Sequence, residues 1–388
     1  MTPDTPPAHS RRTFLRTTAF AGAAYAAAPA LVGLGRAFAA ERKSGKLGVA
    51  LVGLGGFSTQ RIGPELKFAQ NVYLAGVVTG SPEKGRKWAA EHGFPEENIY
   101  SYETFDRIAD NPDIDIVHVV LPNGMHAEYT MRAARAGKHV MCEKPMAISA
   151  RECETMIATC RNAGVLLGVN YRLHFEAHHL KMMEIAGQKT YGNVKALNAE
   201  FSWKRGDNKP WLLDRKLAGG GAMFDTGVYP VQAACYITGE TPIRASGVAA
   251  STRDVYRPGI EETMAYTLEF PSGAVAQCRA SYAYSAHQFT VSADNGTFAC
   301  TSTPSGGNVF GQSSRGKPNP KQVVLPKNQL FKADDTLQLA VLHDRFADAV
   351  RNRTPFACPG EMGLRDIRIV EAVYASVGLG GKIVPVKA

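Results

Sequence analysis

The fold is decided by a stretch near the start of the chain, Leu47-Gly48-Val49-Ala50-Leu51-Val52-Gly53-Leu54-Gly55-Gly56-Phe57-Ser58. Its first half is a short apolar run typical of a buried strand, and its second half is a glycine turn that leads into a plausible helix. Gly53 permits the tight turn, Gly55 lets backbone N–H groups approach a pyrophosphate, and Ser58 fills the third position, where a small side chain is needed. This order predicts a dinucleotide site. Its predicted contacts are Gly53, Gly55, Gly56, Phe57 and Ser58.

Further apolar segments follow this motif at about the spacing of βαβ units. Predicted strands cover residues 72–78, 114–121, 139–141 and 165–169, and helical stretches separate them. We therefore expect residues 40–170 to form an α/β Rossmann domain around a parallel sheet.

The end of the second predicted strand indicates which dinucleotide binds. An Asp or Glu there usually binds the free ribose 2′-hydroxyl of NAD, and Val78-Thr79-Gly80-Ser81 contains no carboxylate. Thr79, Ser81 and Lys84, with Arg86 beyond, suit instead the additional phosphate of NADP, to which cations bind well. A capped, solvated helix start is the alternative role of these residues. The sequence favours NADP over NAD as the cofactor.

The pattern changes in the second half of the chain, where apolar residues recur at every second position. Met264, Tyr266 and Leu268 alternate with small or polar residues, and a turn at 271–273 leads into another run at 274–280. A hairpin and an antiparallel sheet with one face outward are expected. Residues 171–388 are thus predicted to form an α+β C-terminal domain with a large, mainly antiparallel open sheet. Residues 303–321, rich in Gly, Ser, Pro and Asn, are predicted to form a long surface loop.

The N-terminus has the order of a removable export signal. Arg11 and Arg12 precede an apolar stretch at 17–35, and Ala37-Phe38-Ala39 has the small-x-small form of a cleavage site. A permanent membrane helix is disfavoured because the stretch is rich in Ala and Gly and contains Pro29. Residues 1–39 are predicted to be a twin-arginine (Tat) signal peptide. The expected partner is the Tat machinery, the expected location is the periplasm, and no stable membrane insertion is expected after processing.

Composition and charge argue against several classes of protein. The net charge of +9 comes without a run of Lys and Arg interleaved with aromatic residues, so no nucleic-acid partner is expected. The seven cysteines contain no Cys-x-x-Cys pair and are interpreted as small buried residues, not as a disulfide frame or a metal site. His174 and His178 lie one helical turn apart, but no third ligand is placed, so no metal is predicted and a polar helix face is expected.

Four later segments carry a resemblance to a known family. They are Leu121-Pro122-Asn123-Gly124-Met125-His126, Glu143-Lys144-Pro145, Asn170-Tyr171-Arg172 and Gly219-Gly220-Gly221-Ala222-Met223-Phe224-Asp225-Thr226-Gly227-Val228-Tyr229. Together they resemble the glucose-fructose oxidoreductase, inositol dehydrogenase and MocA (Gfo/Idh/MocA) family, over nearly everything after the signal. The Tyr229 ending is most similar to glucose-fructose oxidoreductase, because much of the family has His there.

The resemblance implies that Lys144, Asp225 and Tyr229 surround the reacting carbon of a sugar, beside the nicotinamide. Hydride leaves a carbinol carbon only as its hydroxyl loses a proton, so the site needs an acid-base group and a positive charge. We expect Tyr229 to take the proton, Lys144 to supply the charge, and Asp225 to orient the substrate or relay the proton. Without this context Lys144 would be an ordinary loop lysine. In the family its bond to Pro145 is cis, which aims the lysine at the nicotinamide.

The resemblance also implies further contacts. The remaining cofactor contacts are Leu121, Asn123, His126, Glu143, Lys144, Arg172 and Trp211. The substrate contacts are Lys144, Tyr171, His174, Asp225, Tyr229 and Tyr282. Buried packing is an equally good role for Tyr282. Leu212 stands where close relatives have Arg, which removes one possible cofactor contact.

These features predict a periplasmic, NADP-dependent sugar oxidoreductase. It would take hydride from C1 of an aldose to give a lactone, and could return the hydride to a second sugar. The alternative is an NAD(P)-dependent glycosidase of the same fold, in which the sugar is oxidised only transiently. In the family the outward sheet face pairs subunits, so a homodimer or homotetramer is expected.

Overall fold

The computed structural model describes residues 45–205, 210–256, 259–303, 306–313, 321–323 and 337–387. The signal peptide predicted at residues 1–39 lies outside these ranges. In the described part of the chain, no helix has both the length and the apolar character needed to cross a bilayer.

A six-stranded parallel sheet occupies the first half of the described chain. Its strands are β1 (Leu47–Val52), β2 (Val72–Val78), β3 (Ile99–Tyr100), β4 (Ile116–Val119), β5 (His139–Cys142) and β6 (Leu167–Val169). Their spatial order is β3-β2-β1-β4-β5-β6, and every neighbouring pair is parallel. This is the doubly wound order of dinucleotide-binding domains, so the predicted Rossmann fold is confirmed.

Helices connect these strands and cover the sheet. A π-helical turn at Ser58–Ile62 continues into α1 (Gly63–Leu66), and the others are α2 (Pro82–His92), α3 (His126–Arg135) and α4 (Ala150–Asn162). Both faces of β1 and β4 are buried, as expected for central strands of a parallel sheet. The chain leaves β1 towards β2 and leaves β4 towards β5, on opposite sides, so a crevice opens at the carboxyl ends of β1 and β4.

Nine strands of the described residues form a second, mixed sheet in the order β14-β13-β12-β11-β7-β10-β9-β8-β15. They are β7 (Val194–Ser202), β8 (Arg244–Ala250), β9 (Thr263–Glu269), β10 (Val275–Ser281), β11 (Ala286–Ala293), β12 (Gly296–Thr303), β13 (Gly306–Ser313), β14 (Lys321–Val323) and β15 (Val384–Pro385). Among these described neighbours, β7 and β10 alone run parallel. The predicted large, mainly antiparallel sheet is confirmed.

Helices cover one face of this second sheet. They are α5 (Ala177–Gly187), which packs on β12 and β13, α7 (Val228–Thr238), which packs on β7 and β10, and α9 (Gly360–Gly378), which packs on β8 and β15. Two further helices are α6 (Arg215–Ala218), which packs on the 3-10 helices at Asn123–Met125 and Pro210–Leu213, and α8 (Gln338–Asn352), which packs on α1 and β2. The predicted alternation holds in β9, where Met264, Tyr266 and Leu268 are buried and the residues between them are more exposed.

The surface loop predicted at residues 303–321 is wrong in the part that the structure describes. β12 continues to Thr303, β13 pairs with it along its whole length, and β14 begins at Lys321. Backbone pairing requires no particular side chain, so Gly, Ser and Asn can extend the edge of an existing sheet. A Cβ at Gly311 would lie 2.0 Å from the Tyr191 hydroxyl oxygen, so a larger residue there would displace the Tyr191 side chain.

The seven cysteines are all buried, and none forms a disulfide. The predicted burial of these residues is therefore confirmed. Burial raises the pKa of the thiols of Cys160 and Cys235 to about 12, so both remain protonated at neutral pH.

Candidate active site

The glycine turn, residues 53–58, lies at the carboxyl end of β1. Gly53 has a φ of +95°, and a Cβ there would lie 2.4 Å from the carbonyl oxygen of Val120, so only glycine fits. Gly55 and Gly56 are exposed, and a Cβ on either would meet no atom within 4 Å. Buried Ser58 donates from Oγ to the carbonyl oxygen of Gly53 at 2.6 Å. The turn is thus fixed on its protein side and open on the other, which fits a pyrophosphate at a helix start.

The residues after β2 organise the start of α2. The Thr79 hydroxyl accepts from the Ser81 backbone N–H at 3.1 Å, and the Ser81 hydroxyl accepts from the Lys84 backbone N–H at 3.3 Å. Both hydroxyls therefore accept hydrogen bonds from the backbone at the start of α2. This is the capping role that the sequence analysis gave as the alternative to phosphate binding. The side chains of Lys84 and Arg86 are exposed at this helix start, where they could meet an additional phosphate.

The peptide bond between Lys144 and Pro145 is cis, as the resemblance implies. The buried ring of His126 lies against it, with Nδ1 2.8 Å from the carbonyl oxygen of Pro145 and Nε2 2.8 Å from that of Leu121. Asn123 donates to the carbonyl oxygen of Ala218 at 2.8 Å. His126 therefore contacts the backbone next to the lysine, whereas Asn123 binds the last residue of the helix at Arg215–Ala218. The predicted contacts of both residues with the nicotinamide ribose stay predictions.

Lys144, Asp225 and Tyr229 come together in the structure. The Lys144 Nζ donates to Asp225 Oδ1 at 3.0 Å and to the Asp225 carbonyl oxygen at 2.7 Å. The same Nζ lies 4.9 Å from the centroid of the Tyr229 ring. Burial alone would lower the pKa of Lys144, but facing Tyr229 and Asp225 raises it above its ordinary value. Lys144 is therefore a protonated, partly shielded cation beside a phenol.

A glycine-rich segment positions the side chains of Asp225 and Tyr229. A π-helical turn at Met223–Gly227 runs directly into α7, which begins at Val228. Glu261 accepts from the backbone N–H groups of Gly221, at 3.0 Å, and Met223, at 2.8 Å, and so anchors the start of this turn. A Cβ on Gly221 would lie 1.9 Å from the carbonyl oxygen of Glu261, which explains the glycine.

Sequence reasoning missed Arg205. Its Nη2 donates to Asp225 Oδ2 at 2.7 Å, opposite the bond from Lys144. Burial alone would raise the pKa of Asp225, but Lys144 and Arg205 hold it well below its usual range. Arg205 follows β7 and belongs to no motif, so only the tertiary structure brings it to the site. We call Lys144, Arg205, Asp225 and Tyr229 the charged corner.

Aromatic rings and a second arginine surround Tyr229. The Phe201 ring centroid lies 4.2 Å from that of Tyr229 and 4.1 Å from that of His287. Burial lowers the pKa of His287 to about 4, so this imidazole is neutral at neutral pH. Arg172 donates from Nε to the Tyr229 hydroxyl at 3.4 Å and from Nη1 to Gln338 Oε1 at 2.8 Å. The phenol is thus held between a ring stack and cations.

Three predicted substrate contacts lie within packed parts of the molecule. Tyr282 is completely buried and donates to the carbonyl oxygen of Gly221 at 3.4 Å, which fits the packing role left open by the sequence. Tyr171 is buried, and burial raises the pKa of its phenol well above the usual value. The His174 ring lies 5.9 Å from those of Phe175 and Tyr236. A sugar contact by any of the three stays a prediction.

The other predicted cofactor contacts differ in their burial and in their protein partners. Buried Glu143 accepts from Asn170 Nδ2, and its Oε1 lies 3.3 Å from His118 Nε2. Trp211 is partly buried on a short 3-10 helix, and Phe57 is 37% exposed in the glycine turn. Glu143 thus has protein partners, whereas Phe57 is accessible to a ligand.

The acidic and histidine residues after β6 form a buried hydrogen-bonded group. Glu176 caps α5 by accepting from the His179 backbone N–H at 2.9 Å and also pairs with His178. The His179 ring bonds to the Tyr236 hydroxyl. The polar side chains predicted here point into the protein and not to solvent, because Glu176, His178 and His179 are all buried. Within the described ranges, no three His, Cys, Asp or Glu side chains are grouped as for a metal ion.

Comparison with known proteins identifies both halves of the molecule. Residues 47–171 match the family model described as oxidoreductase family, NAD-binding Rossmann fold. Residues 179–299 match the model described as GFO/IDH/MocA C-terminal domain. The predicted nicotinamide-dinucleotide cofactor is therefore confirmed at the level of the fold that binds it.

Individual relatives include enzymes of sugar metabolism. A 1,5-anhydro-D-fructose reductase of Ensifer adhaerens is 30% identical over 53% of this chain and 60% of that protein. A D-xylose 1-dehydrogenase (NADP+) of Haloarcula marismortui is 28% identical over 60% of this chain and 65% of that protein. The chain thus spans less than two thirds of the length of these curated relatives. The crystal structure of an aldose-aldose oxidoreductase from Caulobacter crescentus, complexed with glycerol, is 37% identical. The structural match covers 88% of this chain and 99% of the Caulobacter chain, with a TM-score of 0.82.

Proposed function

The chain belongs to the Gfo/Idh/MocA family of oxidoreductases, and on that premise we propose that it oxidises an aldose at C1 with NADP and passes the hydride to a second sugar. The observation that carries this proposal is the charged corner, in which Lys144 Nζ is bound to Asp225 at 3.0 Å and lies above the Tyr229 ring. The likeness over nearly full length to an aldose-aldose oxidoreductase supports the choice of sugar substrates.

The glycine turn and the start of α2 would hold the nucleotide. Gly55 and Gly56 leave open space at a helix start, where backbone N–H groups can donate to a pyrophosphate. Exposed Lys84 and Arg86 would bind the additional phosphate of NADP. When bound, the nicotinamide supplies the acceptor for the hydride that leaves the sugar carbon.

The charged corner would manage the proton and the developing negative charge. Tyr229 acts as the base through its phenolate oxygen, which takes the proton of the C1 hydroxyl as hydride leaves C1. Lys144 directs two N–H bonds at Asp225, which leaves a third for the sugar oxygen as negative charge develops there. Asp225 is held ionised by Lys144 and Arg205, so we assign it orientation of the lysine and not relay of the proton.

Export and assembly belong to the same proposal. Arg11, Arg12 and the following apolar stretch would direct the folded protein through the Tat machinery to the periplasm. A nicotinamide that cannot be exchanged there needs an internal electron acceptor, and a second sugar provides one. The outward face of the second sheet would pair with the same face of another subunit to give a homodimer or homotetramer, which light scattering on the purified protein would measure.

The decisive test uses the purified mature protein. After denaturation, chromatography should identify released NADP, and addition of individual aldoses to the native protein should reduce the bound nucleotide and raise its absorbance near 340 nm. The steady-state kinetics with two sugars should be ping-pong. If no aldose reduces the nucleotide, sugar oxidation is wrong. If the nucleotide is absent and the kinetics are sequential, the two-sugar cycle is wrong.

A further inference from the structure

Arg205 is held in place by its own backbone contacts. Its backbone N–H donates to the carbonyl oxygen of Tyr282 at 2.9 Å, and its carbonyl oxygen accepts from Arg253 Nη1 at 2.7 Å. Arg253 in turn donates to Tyr282 O at 2.9 Å and pairs with buried Glu262. The Arg205 guanidinium carbon also lies 5.7 Å from the centroid of the Trp203 ring. The side chain is therefore presented to Asp225 from a fixed segment.

Arg205 and Lys144 share a single carboxylate. Lys144 binds Asp225 Oδ1 at 3.0 Å, and Arg205 binds Oδ2 at 2.7 Å. A carboxylate held on both oxygens cannot rotate away from the lysine without breaking the bond to the arginine. The single negative charge of Asp225 also interacts with two cations. Lys144 is therefore stabilised less by this carboxylate than it would be if Arg205 were absent.

We propose that Arg205 is a positioning residue for the sugar oxidation, which fixes the Asp225 carboxylate on the lysine and sets the pH at which the charged corner accepts the proton of the sugar. This inference rests on the proposed function for its reaction, but its structural basis is independent of which sugar binds. The positive charge of Arg205 favours the deprotonated forms of the groups around it. Without Arg205, the Asp225 carboxylate interacts with Lys144 alone. The charged corner then accepts the proton of the sugar only at a higher pH.

Other charged and titratable groups near the corner are accounted for. Arg172 faces Tyr229 from the segment before α5, and Glu143 adjoins Lys144 but is bound to Asn170. His287 on β11 is neutral at neutral pH, because burial lowers its pKa to about 4. Tyr282, after β10, keeps its proton because burial raises the pKa of its phenol well above the usual value. Among the described groups, Arg205 is therefore the cation that competes directly with Lys144 for Asp225.

The kinetic test compares Arg205→Gln, Arg205→Lys and Lys204→Gln. Lys204 is the matched control, because it is the adjacent residue, is exposed, and makes no side-chain contact with Asp225 among those described. In Arg205→Gln the apparent pKa of the rising limb of kcat/KM should move up by about one pH unit, so that activity lost near pH 7 is recovered at higher pH. Arg205→Lys should restore most of the wild-type profile, and Lys204→Gln should leave it unchanged. A loss of activity that is the same at every pH, or an unchanged profile, would overturn the proposal.

A second readout does not depend on turnover. Trace acetylation with acetic anhydride, followed by mass spectrometry, measures the free-amine fraction of Lys144 relative to exposed Lys87. Labelling of Lys144 should fall about tenfold in Arg205→Gln and stay unchanged in Lys204→Gln. Thermal melting checks that each variant is folded. Equal or faster labelling of Lys144 in a folded Arg205→Gln protein overturns the proposal, because it would mean that Arg205 does not compete with Lys144 for the charge of Asp225.

The two readouts separate failure of this inference from failure of the proposed function. If the wild-type protein oxidises no aldose but labelling of Lys144 falls in Arg205→Gln, Arg205 positions the corner and the proposed reaction is wrong. If the wild-type protein oxidises an aldose and Arg205→Gln changes neither the pH profile nor the labelling, the reaction stands and the role of Arg205 is wrong.

Discussion

The glycine turn and the charged corner are built in opposite ways. The glycine turn is one continuous stretch, and Gly55 and Gly56 leave empty space where a side chain would stand. The charged corner joins Lys144 after β5, Arg205 after β7, Asp225 in the π-helical turn before α7, and Tyr229 in the first turn of α7. One region thus offers backbone groups and open space, and the other offers opposed charges from distant segments. The difference teaches that nucleotide binding and proton handling should be separable by mutation.

Removal of Lys144 should have the largest effect on turnover. We expect Lys144→Ala to lower the rate of nucleotide reduction by at least about a hundredfold, because the cation beside the sugar oxygen is lost. Asp225 keeps its bond to Arg205, so the fold and the glycine turn should be spared. Single-turnover absorbance measures the rate, and calorimetry measures the dissociation constant for NADP. The exposed Lys87→Ala is the control, and a near-wild-type rate in Lys144→Ala would remove this lysine from the mechanism.

Tyr229→Phe should also lower turnover by about a hundredfold, because the ring stays against Phe201 while the proton acceptor is lost. NADP binding should not change. The same kinetic measurement on Tyr282→Phe provides a control, since it removes a buried phenol that donates to Gly221 O. Equal losses in both variants would mean that packing, and not proton transfer, explains the effect.

Two substitutions in the glycine turn should act differently from each other. Gly53→Ala should lower the free energy of unfolding by on the order of 2–4 kcal/mol, because the alanine needs a positive φ and its Cβ meets Val120 O. Gly55→Ala meets no protein atom, so it should change that free energy by less than about 1 kcal/mol. It should nevertheless weaken NADP binding roughly tenfold, since the Cβ obstructs the pyrophosphate. Urea unfolding and calorimetry measure the two quantities, and unchanged NADP affinity in Gly55→Ala would place the pyrophosphate elsewhere.

The charged corner should contribute stability that depends on pH. The folded protein holds the pKa of Asp225 below its usual range, despite burial, so this contribution is present above about pH 4 and is lost as the pH falls further. The stability gap between wild type and Asp225→Asn should therefore be largest at neutral pH and narrow below about pH 4. Urea unfolding at pH 7, 5 and 3 measures the gap, with the exposed Asp110→Asn as the control. A gap that stays constant down to pH 3 would contradict ionisation of Asp225 as its cause.

The smallest expected effect concerns the choice of nucleotide. Replacing both Lys84 and Arg86 by alanine should raise the dissociation constant for NADP roughly threefold to tenfold, since exposed charges are screened by solvent. Binding of NAD should change little, because it lacks the additional phosphate. Equal weakening of NADP binding and NAD binding would show that these cations do not contact the phosphate at the ribose 2′ position.

Regular patterns made the architecture predictable. The apolar runs of β1, β2, β4, β5 and β6 and the period-two run of β9 are visible in the sequence, because burial on one or both faces fixes their residue types. Two-residue β3 is too short to carry a pattern. Strand β13 was missed because its pairing with β12 depends on backbone groups that every sequence has.

The candidate site was predictable only where a motif contains the residue. Lys144, Asp225 and Tyr229 lie in recognisable segments, and the structure brings them together. Arg205 lies in none, and its bond to Asp225 follows from how the segment after β7 is clamped by Arg253. Burial of His178 and His179 was not predicted either, because two adjacent polar residues give no apolar pattern that would distinguish a covered helix face from an exposed one.

The burial of the thiols bears on the export proposed for this protein. Burial raises the pKa of Cys142, Cys153, Cys160, Cys235, Cys278 and Cys358, so the folded chain presents almost no thiolate to an oxidant. An unfolded chain that emerged into an oxidising space would expose all seven sulfur atoms to mispairing. A translocon that carries folded proteins would avoid this mispairing, because native packing keeps the thiols buried during export.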